Sequence, residues 1–74
     1  MTMNEICEAL NAAGIQDWRV TSHGDVEIED EDCVLQITAE RGIANVLVDH
    51  DCGVEEFDAE DLPKLIKLVK VWVG

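Results

Sequence analysis

The stretch Asp25-Val26-Glu27-Ile28-Glu29-Asp30-Glu31-Asp32 carries a carboxylate at every position except Val26 and Ile28. Carboxylates at this density serve one of three chemistries: acid–base catalysis, cation binding, or recognition of lysine and arginine. Catalysis needs a pocket that drives two pKa values apart, and a chain of 74 residues has little interior to form one. No glycine-rich phosphate loop or G-x-S-x-G elbow is present, and Ser22 is the only serine; no catalytic residue is expected, and the chain is read as a non-enzyme. The acidic stretch lacks the Asp-x-Asp-x-Asp-Gly pattern of a calcium loop. Asp49-His50-Asp51-Cys52 contains metal-binding residue types, but adjacent residues of one loop rarely converge on a single ion, and no second paired cluster exists. It reads as a polar loop, so neither metal nor cofactor is expected. Beside the alternative of a solvated face whose charge serves solubility, recognition of basic groups is the one of the three chemistries that fits best.

The distribution of charge supports that reading. Of 17 acidic residues, 14 lie between Asp25 and Asp61, where Arg41 is the only base. The first 24 residues are nearly neutral, and the last 13 carry Lys64, Lys67 and Lys70. The formal net charge of −12 therefore belongs to the middle of the chain. Such a protein is repelled by nucleic acid and by anionic membranes, both of which are bound through lysine and arginine. Its three cysteines, Cys7, Cys33 and Cys52, are odd in number and show no C-x-x-C spacing, which argues against a disulfide scaffold and for a reducing, cytoplasmic setting. No basic leader followed by an apolar run and no membrane-spanning stretch is seen.

The elements that would position these carboxylates follow from periodicity. Thr2 to Gly14 predicts a short helix: Thr2 and Glu5 fit a capping box, and Met3, Ile6, Cys7 and Leu10 share one face. Trp18 to Thr21 predicts a strand with Trp18 and Val20 pointing inward, and His23-Gly24-Asp25 a turn. In the next strand Val26 and Ile28 face the core, while Asp25, Glu27 and Glu29 share the outer face, and Asp30-Glu31-Asp32 forms a hairpin tip. Cys33 to Ala39 is the third strand, and Glu40-Arg41-Gly42 closes a hairpin onto a fourth, Ile43 to Val48, whose facing is ambiguous because both parities are apolar. Asp49 to Gly53 reads as a loop and Val54 to Phe57 as a short extended segment. Asp58 and Asp61 are both candidate N-caps of a last helix with Pro63 in its first turn. Leu62, Leu65, Ile66, Val69, Trp72 and Val73 form its apolar stripe, leaving Leu68 and Val71 as candidate exposed aliphatics. The expectation is one α+β domain over residues 1–74, with a three- to four-stranded antiparallel sheet, an N-terminal and a C-terminal helix on one face, and an open acidic face.

Carboxylates two residues apart on a strand are separated by about 7 Å, and DNA presents a phosphate every ~3.4 Å per strand. A row of them offers a nucleic-acid-binding groove something like a backbone. In size, in lack of catalytic motifs, in the ladder Asp25, Glu27, Glu29, Asp30, Glu31, Asp32 and in a second acidic run, Glu55, Glu56, Asp58, Glu60 and Asp61, the chain resembles the small phage-encoded anti-CRISPR proteins that act as DNA mimics. The resemblance implies a non-enzymatic inhibitor whose acidic surface fills the DNA- or PAM-binding site of a CRISPR–Cas effector subunit in the bacterial cytoplasm, working as a monomer or weak homodimer. The expected contact residues are Asp25, Glu27, Glu29, Asp30, Glu31, Asp32, Asp49, Asp51, Glu55 and Glu56. The competing expectation is a small acidic adaptor that assembles through a sheet edge or the Leu68/Val71 helix face, its charge serving only solubility.

Overall fold

The computed structural model describes residues 1–73. Helix α1 spans Met3–Ala12, strands β1 to β5 span Trp18–Val20, Val26–Glu29, Cys33–Glu40, Ile43–His50 and Gly53–Ala59, and helix α2 spans Leu62–Trp72. The strands form one antiparallel meander in the order β1-β2-β3-β4-β5. Both helices pack on the same face, giving the expected α+β architecture with five strands in place of three or four.

Local chemistry sets the boundaries of both helices. Thr2 caps α1 in a full capping box: its hydroxyl accepts from the Glu5 N–H at 3.2 Å, and the Glu5 carboxylate accepts from the Thr2 N–H at 2.9 Å. The same helix ends in a Schellman turn. Gly14 takes φ 81°, its N–H reaches Asn11 O, and the Ile15 N–H reaches Leu10 O at 2.9 Å, which folds Ile15 back onto the core. Asp61, not Asp58, caps α2, accepting from the Lys64 N–H at 2.9 Å, with Pro63 in the first turn.

The core lies between the helices and one face of the sheet. Ile6 and Leu10 of α1 and Leu65 and Val69 of α2 meet Val26, Ile28, Leu35, Ile37, Ala44, Val46 and Val48, all fully buried. That resolves β4, whose even-numbered residues Ala44, Val46 and Val48 point to the helices, while Ile43, Asn45, Leu47 and Asp49 face away. Three expectations are corrected. Val20 shares the face of Trp18 but lies on the short outer strand beyond helix cover, and it is exposed. Leu68 is half-buried against the core, leaving Val71 as the exposed aliphatic of α2. Residues 49–59 form the end of β4, a tight turn and a seven-residue fifth strand. Their side chains alternate too weakly to announce a strand, and backbone pairing with β4 over Ala44↔Ala59 to His50↔Gly53 supplies what the pattern lacked.

Candidate functional site

A meander places alternate turns at the same end of the sheet. The β2–β3 tip, Asp30-Glu31-Asp32, and the β4–β5 turn at Asp51-Cys52 therefore share one end, because Glu29 is level with Val34, Val34 with Asp49, and Asp49 with Val54. The tip carboxylates and those of the β4–β5 turn, Asp49 and Asp51, share that end, while Asp58, Glu60 and Asp61 of the second acidic run lie at the opposite end. The C-termini of both helices end there as well. Asp17, Glu29, Asp30, Glu31 and Asp32 line an open groove of about 790 Å³ with Val71 and Trp72 of α2. Asp17 and Asp30 share a second groove with Ala13 and Gly14, at the end of α1, and with Lys70 and Val73, at the end of α2.

This placement runs against the helix dipole. A helix C-terminus carries partial negative charge from its unsatisfied carbonyls, so an anion beside it is unfavourable by a few tenths of a kcal/mol to about 1 kcal/mol. Here carboxylates gather at two such termini, with Lys70 as the one base in the last turn of α2. Among the described residues, the side chains of Asp17, Asp30, Glu31, Asp32, Asp49, Asp51 and Glu56 take part in no hydrogen bond or ion pair. Their charge also reaches the adjacent thiol: burial pushes the Cys33 thiol up from the ordinary range, and Asp30 and Asp32 push it further.

The remaining members of the expected contact set are partly occupied. Asp25 is on the open face as expected, but its carboxylate accepts from Gln36 Nε2 at 2.9 Å and Thr38 Oγ1 at 3.2 Å. The Arg19 guanidinium is paired with Glu27 and reaches Glu29 at 3.3 Å, and these carboxylates hold its pKa above the ordinary value, the Glu27 hydrogen bond contributing most. Glu55 points to the helix side of the sheet, where it meets His50 Nε2 at 2.7 Å. His50 accepts at Nδ1 from the Cys52 N–H at 3.2 Å and stacks on Trp72 with ring centroids 5.1 Å apart. The histidine thus ties the β4–β5 turn to the end of α2. No group of three or more potential ligands able to hold a metal ion occurs among the described residues.

The ladder is therefore a continuous row in sequence and a divided one in space. Asp25 and Glu27 are engaged inside the protein, and the free carboxylates are those at the tip, joined by Asp49, Asp51 and Glu56 from the neighbouring strands. Sequence reasoning missed Asp17, Val71 and Trp72 as walls of the groove. The approach of Asp17 to the tip follows from the pairing of β1 with β2, which puts Trp18 opposite Ile28.

No helix of the described residues is long and apolar enough to cross a membrane. No family model, curated protein or solved structure matches the chain.

Proposed function

We propose that this protein is a non-enzymatic inhibitor that acts as a DNA mimic in the bacterial cytoplasm, setting its acidic end into the lysine- and arginine-lined groove of a nucleic-acid-binding protein, with the DNA- or PAM-binding subunit of a CRISPR–Cas effector as the first target to test. The observation that carries the reading is the gathering of unpartnered carboxylates at the negative poles of two helices. Folding stability disfavours that arrangement, whereas a basic partner satisfies it through charge-assisted hydrogen bonds. Association driven this way is fast and salt-sensitive.

The test is a competition assay in which purified CRISPR effector complexes bind labelled target DNA in the presence of the protein. Displacement of DNA that weakens with salt, and that the folded triple variant Asp30→Lys, Glu31→Lys, Asp32→Lys loses by about a hundredfold or more, is the expected outcome. Equal inhibition by the folded variant removes the acidic end from the mechanism. No displacement from any effector removes these complexes as targets.

A further inference from the structure

The face of the sheet turned away from the helices is not uniformly acidic. Val34, Leu47 and Val54 project from it on β3, β4 and β5, with Val34 38% and Val54 64% exposed and Leu47 half-buried. Strand register sets them among carboxylates: Val34 lies between Glu29 and Asp49, Asp49 between Val34 and Val54, and Leu47 beside Glu56. Direct cross-strand neighbours are about 5 Å apart, and diagonal ones about 7–8 Å. Aliphatic and anionic groups thus alternate on a grid close to the length of one long basic side chain.

We propose that this uncovered face of β3, β4 and β5 docks arginine and lysine side chains of a protein partner lying flat, their aliphatic stems on Val34, Leu47 and Val54 and their cationic heads on Asp49 and Glu56. The proposal rests on the inhibitor reading above and extends its contact from the acidic end onto the sheet. Arginine and lysine bury their methylene stems on apolar surface while their heads stay with water or an anion, and this face offers both partners at that spacing. Phosphate mimicry alone has no use for the valines. A second copy is a poor occupant, because it would set the same carboxylates against one another at a formal charge of −12 per chain.

The test compares two short peptides of equal charge, an oligoarginine and its analogue built from 2-amino-3-guanidinopropionate, which keeps the guanidinium and lacks most of the stem. Amide NMR titration is expected to show the oligoarginine binding roughly threefold to tenfold more tightly, with shifts at Val34, Leu47 and Val54, and the variant Val34→Ser, Val54→Ser is expected to remove the difference. The comparison on the unaltered protein stands even where the variant folds poorly. Equal affinities with shifts confined to the acidic end would overturn the proposal and leave the inhibitor reading standing; no binding of either peptide would overturn both. Sedimentation showing a dimer of the unaltered protein that the valine variant dissolves assigns the face to a second copy and likewise overturns it.

Discussion

The two ends of the sheet contain the same kind of residue and use it in opposite ways. At the end where both helices begin, nearly every carboxylate has a partner: Glu5 and Asp61 cap helix N-termini, Asp25 holds Gln36 and Thr38, Asp58 accepts from Asn45, and Glu60 lies 3.5 Å from Lys64. Glu40 is the exception. At the end where both helices finish, Glu29 and Glu55 are paired with Arg19 and His50, but Asp30, Glu31, Asp32 and Asp51 have no partner among the described residues, and the helix dipoles oppose them. One end uses acidic residues to hold the fold together, and the other exposes them at some cost to it. Composition alone treats all 17 as equivalent.

Substitutions at the two ends should separate these roles. Asp25→Ala strands the Gln36 amide and the Thr38 hydroxyl, both half-buried, and is expected to lower unfolding free energy by about 1–3 kcal/mol in urea titration while leaving DNA competition intact. Asp61→Ala removes the cap of α2 and should cost about 1 kcal/mol by the same measurement. At the other end the sign reverses. Asp30→Asn with Asp32→Asn keeps the turn-forming shape and relieves repulsion, so stability should rise by roughly 0.5 kcal/mol. The unaltered protein should also melt higher as salt rises from low to physiological strength, where the Debye length is about 8 Å, and the double variant should respond less. A destabilised double variant would break the comparison.

The smallest effect concerns Cys33, whose folded-state pKa is raised by burial first and by Asp30 and Asp32 second. A raised pKa means that the folded protein keeps this proton after the unfolded chain has begun to lose it. The contribution to stability is then complete below the ordinary thiol pKa and is lost as pH rises through the folded value. Unfolding followed at increasing alkaline pH should show this decline, and Cys33→Ala should flatten it. Near neutral pH, thiol reagents should modify exposed Cys52 well before Cys33.

Much of this structure was legible in the residues. The capping box at Thr2 and Glu5, the Gly14 stop and the inward Val26 and Ile28 are local devices, complete within a few positions of chain, whereas the cap of α2 was narrowed only to Asp58 or Asp61. Less legible were β5, where Val54 and Phe57 fall on opposite faces among acids, and the facing of β4, where both parities are apolar. In each case the deciding interaction was a pairing with a strand elsewhere. The same distinction applies to the candidate site. That Asp30, Glu31 and Asp32 form an exposed tip follows from their place between two patterned strands; that Asp25 and Glu27 are engaged by Gln36, Thr38 and Arg19 follows only from register.

By itself the sequence determined the charge, its concentration in the middle of the chain, the two helices and the faces of the first strands, because these depend on residue type and on contacts between near neighbours. Tertiary structure decided which carboxylates stay free. It brought Asp17, Asp51 and the tip to one end, set the valines of β3 and β5 among acids, and pointed both helix C-termini at the cluster. The reason is physical: a carboxylate's availability depends on what the fold places within about 3 Å of its oxygens, and those neighbours come from distant parts of the chain.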